Sequence, residues 1–214
     1  DAVVVPGSKQ TLRDLEALGT SGLGRQLQAF AAGGGPVFGI CGGLQLLGRE
    51  LHDPEGLEGS GQGRSSAAGL NLLPLRTVFA GSKALRQRSS VAHWPATDGG
   101  GGEAPSEPVL LEGFELHRGT TTTLEACGAL CADAALGWVQ GPVAGTYLHA
   151  VFESGPWRRR WLNQLRARKG LPLLSERQPH HSRQREALLD RLADAFEQHV
   201  NLEPLLREPC AIDA

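Results

Sequence analysis

The sequence predicts an α/β fold, an open and mostly parallel sheet with helices on both faces. Three observations predict it: apolar strand-like runs at 2–5 and 36–40, a segment of helical spacing after each, and a length of 214 residues that suits one domain. Strand, helix, strand, helix is the order that a parallel sheet covered on both faces requires. Ala2, Val3, Val4 and Val5 form the first run, which Pro6, Gly7, Ser8 and Lys9 break in a turn. Leu12, Leu15 and Leu18, then Leu23, Leu27 and Phe30, recur at helical intervals over 11–18 and 21–32. Gly33, Gly34 and Gly35 end that stretch, and Pro36 leads into the second strand. Residues 42–51 read as a helix with Leu44, Leu47 and Leu51 on one side.

The middle is looser. Residues 53–68 are rich in Gly and Ser and read as a loop, and 71–79 as an extended segment. Residues 95–108, with glycines at 99–102 and three prolines, read as a flexible insertion. Strands are expected at 113–117, 137–140 and 143–147. Pro156 opens a helix to about 169, closed by Gly170, with Trp157, Trp161, Leu162 and Leu165 inward and Arg158, Arg159 and Arg160 on a solvated face. A last helix is expected over 182–200, with Leu188, Leu189, Leu192 and Phe196 as its apolar stripe. This divides the chain into one domain, 1–206, and a tail, 207–214. The chain has no methionine and opens on a core strand, so a partial sequence is expected, one lacking an earlier strand and helix.

A net charge of −2 gives no sign of nucleic acid or an anionic membrane. No apolar run approaches the ~20 residues of a spanning helix. Four cysteines, Cys41, Cys127, Cys131 and Cys210, are too few for a disulfide framework in a chain this long. Cys127 and Cys131 lack a second ligand pair, so no metal is expected. This usage fits a reducing, cytoplasmic compartment.

The chemistry concentrates where the second strand meets its helix. Gly39-Ile40-Cys41-Gly42-Gly43 is a GxCxG nucleophile elbow: a sharply bent turn that small neighbours allow to close. The following helix points its amides at the sulfur, which favours thiolate, and the Gly42 amide is the natural oxyanion donor. A thiol nucleophile needs a base, and His149 lies just past the strand at 143–147. In open α/β sheets such strand ends gather the ligand-binding residues. Gly7 and Ser8 end the first strand on the same edge and can supply a second oxyanion donor.

PGSKQT, VFGICGGLQLLG, DPEGLEG, GLNLLPLRT, GFELHRGTT and GTYLHAVF follow one another in this chain. In that order they resemble the glutaminase half of the cobyric acid synthase family, in the cobalamin-pathway branch of the class I glutamine amidotransferases. The resemblance covers about 1–206 and implies a flavodoxin-like sheet. It implies glutamine as substrate, with Cys41 attacking the carboxamide and His149 moving the proton. Gly7 and Gly42 would hold the oxyanion, and Gln45 would contact substrate. Glu115 and His117 would line the site or its exit. It also implies that ATP and Mg belong to a synthetase domain absent from this chain, through which ammonia would reach a corrinoid acceptor.

Two departures bear on mechanism. Many class I glutaminases carry a carboxylate two residues after the histidine; here that residue is Val151, which leaves a Cys-His dyad, with Glu153 as a candidate orienter of His149. Ala150 stands where glycine is usual. The alternatives are a glutaminase for another acceptor such as a cell-wall lipid precursor, a small hydrolase of the peptidase-chaperone kind, and a non-catalytic docking module. The PGSK loop argues against the first, Gln45 and GFELH against the second, and the presence of both Cys41 and His149 against the third.

Overall fold

The computed structural model describes residues 1–58, 66–81, 83–95 and 108–201. Most of the insertion at 95–108, the tail at 207–214 and Cys210 lie outside the described residues.

The chain begins with β1 (Val3–Val5), α1 (Thr11–Ser21), α2 (Leu23–Ala32), β2 (Val37–Ile40) and α3 (Gly42–Leu47). Short strands follow: β3 (Glu50–His52), β4 (Ser66–Ala68) and β5 (Leu75–Val78). A long hairpin is built from β6 (Ala84–Val91) and β7 (Leu110–His117), and then comes β8 (Thr120–Thr123). The chain returns through β9 (Gly128–Ala129), β10 (Gly137–Gln140), β11 (Val143–Thr146) and β12 (Leu148–His149). After one 3-10 turn, Val151–Glu153, it closes with α4 (Gly155–Arg168) and α5 (His181–His199).

The central sheet has the order β1-β2-β11-β10-β9. β1, β2 and β11 are parallel, as the strand-helix-strand reading requires, whereas β10 and β9 join antiparallel. The parallel part is thus the three strands whose ends carry the site. Side chains alternate across it. Val37 and Val143 point into a core shared with Leu27, Leu44 and Leu47, while Phe38 and Ala144 point into a second core with Trp157 and Trp161. Helices therefore cover both faces: α1, α2 and α3 on one, α4 on the other. Phe38 is fully buried, packed among Trp94, Phe152, Trp157 and Trp161. Burial of one such ring contributes about 1.5–3 kcal/mol. Cys127 and Cys131 pack against opposite cores, consistent with thiols that fill space.

Several expectations need correction. The helix expected over 42–51 stops at Leu47 because the chain turns at Gly48, whose amide bonds the Gln45 carbonyl, and Arg49 then pairs with Leu75. Leu51 is buried as a strand residue. The extended stretch at 71–79 is a strand only from Leu75 on, and Asn71 sits at φ 52. The Arg158–Arg160 triplet is not wholly solvated: Arg160 is buried and pairs with Glu176 at 2.9 Å. The apolar stripe of α5 is present, but no residue of that helix is buried.

Ala150 holds the left-handed conformation, φ 65, where a Cβ costs roughly 1–2 kcal/mol. Ala150→Gly is therefore expected to stabilise the fold by about 0.5–1 kcal/mol once the greater unfolded-chain entropy of glycine is counted. A urea midpoint that fell instead would show that the strain is absent.

Candidate active site

The strands β1, β2 and β11 end on one edge of the sheet, and the chemistry-bearing residues meet there. Cys41 caps α3 with φ 53 and ψ −113, a region that non-glycine residues rarely occupy. The bend is held by close approach of the 6–8 loop. A Cβ on Gly42 would lie 2.5 Å from the Ser8 nitrogen, and one on Gly43 would lie 2.0 Å from the Val5 carbonyl oxygen. Gly7 is beside the nucleophile as well: a Cβ there would lie 3.7 Å from that of Cys41. The structure thus brings Gly7 beside Cys41 and Ser8 beside Gly42.

The thiol is not primed as expected. Burial pushes the Cys41 thiol up, outweighing the Gly42 amide that bonds the sulfur, and the Glu58 carboxylate pushes the same way. Lys83 opposes them. α3 has six residues, so its N-terminus is a weak counterweight to burial. The resting sulfur is a thiol, and it donates a hydrogen bond to the Leu116 carbonyl at 3.1 Å.

His149 has left the central sheet for β12, which pairs antiparallel with β7 in the register Leu148 to Glu115 and His149 to Phe114. Its ring stacks on Phe114, centroids 4.8 Å apart and 3° from parallel. Burial holds its pKa below the ordinary imidazole value, with the Leu116 backbone acting in the opposite sense and His117 in the same one. Nε2 is buried with no hydrogen-bond partner among the described residues. Burial raises the thiol and lowers the imidazole, so both side chains are neutral at pH 7 rather than an ion pair.

Gln45 is only 3% exposed and holds three segments together. Its amide nitrogen donates to the Arg118 carbonyl at 3.0 Å and to the Tyr147 hydroxyl at 3.2 Å, and its oxygen accepts from Thr11 Oγ1 at 3.3 Å. Burial pushes the Tyr147 hydroxyl up to about 12, so it stays a neutral donor and acceptor. Glu115 and His117 bond each other at 2.8 Å, and the His117 ring stacks on Tyr147 at 3.6 Å. From the β7 end, it is the Leu116 carbonyl rather than either side chain that bonds the sulfur. Glu153 lies along a cavity of about 370 Å³ with Ile40, Ala150, Arg158 and His181, and makes no hydrogen bond to His149 among the described residues.

Glu58 was missed by sequence reasoning, which read DPEGLEG only as loop and resemblance. Buried Asp53 accepts the Leu57 and Glu58 amides, each at 2.8 Å, and so fixes the turn. Glu58 Oε2 then accepts from Thr11 N at 3.1 Å and Thr11 Oγ1 at 3.2 Å, beside Gln45. Asp53, five residues before Glu58 and able to accept the amides of a turn between them, is the signal the motif contained. Among the described residues, no three His, Cys, Asp or Glu side chains are grouped to hold a metal ion.

The parallel sheet edge carries a cysteine elbow, a half-buried histidine and nearby backbone amides, and the chain belongs to a family of glutamine amidotransferase domains. It is a member of the CobB/CobQ-like glutamine amidotransferase domains, whose model matches residues 1–157. It is similar to proteins called cobyric acid synthase. That of Synechococcus sp. (strain CC9311) is 68% identical over 96% of this chain and 41% of the relative. That of Synechococcus sp. (strain RCC307) is 66% identical over 98% and 40%. That of Prochlorococcus marinus (strain MIT 9313) is 52% identical over 96% and 41%. The chain therefore spans about two fifths of the length of these relatives. A solved structure described as a glutamine amidotransferase superposes with a TM-score of 0.49 at 16% identity, over 78% of this chain and 79% of that one.

Proposed function

We propose that this domain hydrolyses glutamine through a cysteinyl thioester and that the ammonia serves the amidation of corrin-ring carboxylates. The observation that carries the first part is that Cys41, held in its turn by the 6–8 loop, and a neutral His149 both lie against the Leu116 backbone at the end of β7. The likeness to cobyric acid synthases supports the second.

In this reading His149 Nε2 takes the thiol proton as Cys41 Sγ attacks the amide carbon. The amides of Gly42 and of the 7–8 loop hold the oxyanion; each such donor is worth about 10²–10³ in turnover. The imidazolium protonates the departing ammonia, and the histidine then activates water to release glutamate. In the same reading Glu58, which accepts from Thr11 beside Gln45, would receive the substrate α-ammonium, and Gln45 would hold the pocket wall. ATP and magnesium would act in the part of the protein outside this chain, where the synthetase step would use the ammonia and a corrinoid. A free thiol of this kind suits the reducing conditions of a cytoplasm.

The test is labelling with 6-diazo-5-oxo-norleucine, read by mass spectrometry. A single adduct on Cys41, blocked by glutamine but not by N-acetylglutamine, is the expected result. A folded chain that takes no adduct would sink the glutaminase reading.

The pH dependence follows from the shift directions. The base must be neutral, and burial lowers the His149 pKa, so the acid limb of kcat/KM for glutamine is expected below pH 6.5. The pH profile for alkylation of Cys41 by iodoacetamide is expected to have its inflection above pH 9, because burial raises the thiol. An alkylation inflection near pH 7 would instead reveal a stabilised thiolate.

A further inference from the structure

The dyad lacks the carboxylate that orients the histidine in a triad, and the histidine still needs a partner. The nitrogen that bears the proton in a neutral imidazole is set by the hydrogen bond the other nitrogen makes or lacks. Val151 stands two residues on and is 1% exposed in the apolar core. Glu153 faces the cavity with Arg158 and His181. The end of β7, by contrast, runs directly alongside His149. The β12–β7 register sets His149 opposite Phe114, the two rings stack within 3° of parallel, and the Leu116 carbonyl already holds the Cys41 thiol at 3.1 Å. The next residues are clamped. His117 is stacked on Tyr147, and the Arg118 carbonyl is tied to Gln45 at 3.0 Å. Burial leaves Nε2 without a partner, so Nδ1 is the nitrogen available to β7.

We propose that the backbone carbonyl of Leu116 takes the place of the triad carboxylate, accepting the Nδ1–H of His149 and leaving Nε2 bare for the Cys41 proton. This rests on the reading of His149 as the base. One oxygen then serves both partners. At rest it accepts the S–H and the Nδ1–H, using its two lone pairs. During attack the thiol proton gives up its hydrogen bond to this oxygen and passes from sulfur to Nε2 as the S–C bond forms and the substrate carbonyl π pair moves onto its oxygen, and the imidazolium keeps its Nδ1–H on Leu116. A carbonyl dipole fixes the tautomer as a carboxylate would but stabilises the imidazolium less than a full charge does. Phe114, Tyr147 and Gln45 are positioning residues for this arrangement, since they hold the ring and the strand end.

The experiment joins nitrogen-15 NMR of histidine-labelled chain with kinetics of two variants. The His149 resonances, assigned by their loss in His149→Ala, are expected to show the Nδ1–H tautomer with a bare Nε2. Glu153→Gln is expected to keep kcat for glutamine hydrolysis within twofold of the parent. An Nε2–H tautomer, or a fall of a hundredfold or more in Glu153→Gln, would overturn the assignment and return the orienting role to a carboxylate. His149→Ala retaining parental turnover would overturn the base reading itself, and the proposal with it.

Discussion

Replacing Cys41 by serine is expected to lower glutamine hydrolysis on the order of 10⁴–10⁶-fold, the scale seen when a covalent nucleophile is removed. The loss should fall on kcat. Serine preserves the size and hydrogen-bonding ability of the side chain, and the elbow is set by backbone contacts of Gly42 and Gly43 rather than by the sulfur. A hydroxyl at this buried position would also be a far weaker nucleophile than a thiol, since burial already disfavours the anion. Circular dichroism and the urea midpoint should match those of the parent, and glutamine should still protect the chain from proteolysis. The decisive reading is the steady-state rate of glutamate formation. A Cys41→Ser chain with even a tenth of parental turnover would mean that another group forms the acyl bond, and the thioester mechanism would have to be abandoned.

The second large effect is on stability. Gly43→Ala would place a Cβ 2.0 Å from the Val5 carbonyl oxygen and 2.7 Å from that of Pro6. Both are backbone atoms, and Val5 is paired in the central sheet with Gly39. No flexible side chain can give way. Either β1 separates from β2 or α3 tilts away from the sheet, and each route uncovers Leu44 and Leu47, which are fully buried. Overpacking of this kind costs about 3 kcal/mol or more where the neighbours are fixed. A fall in the urea midpoint, followed by tryptophan fluorescence of the buried Trp157, is the measurement. The same substitution would draw the Ser8 amide away from Gly42, so any folded fraction should also label slowly at Cys41. A midpoint unchanged from the parent would show that the 6–8 loop retreats freely, and the loop could not then be a preorganised oxyanion donor.

The local elements were readable because their signals are local. Period-3.6 leucines marked α1 and α2, Pro156 marked the start of α4, and the β-branched and apolar runs marked β1 and β2. The elbow was readable for the same reason: a strained turn at Cys41 needs glycine at fixed neighbouring positions, and spacing records that need. The nearness of Gly7 and Ser8 to that turn followed, since strand ends in such a sheet share one edge. The β6 strand was not legible. Its face shows Leu85 at 71% exposure and mostly polar neighbours, and its stability comes from eight residues of pairing with β7. The break of the elbow helix at Gly48 was also hidden, because Arg49 joins β5 through a partner 26 residues away.

What the sequence determined by itself was the class of sheet, the glycine-flanked turn at Cys41, and Cys41 and His149 as the candidate pair. These rest on residue types whose backbone or acid-base properties are intrinsic. Only the tertiary structure decided the state of that pair and what surrounds it. Ionisation depends on burial, which no spacing encodes: Cys41 is a thiol because its neighbours exclude water from it. Glu58 enters the site through buried Asp53, and Leu116 reaches the sulfur through a main-chain oxygen that every residue possesses. A backbone carbonyl leaves no mark in a sequence, since its identity as a partner lies in position and not in side-chain chemistry.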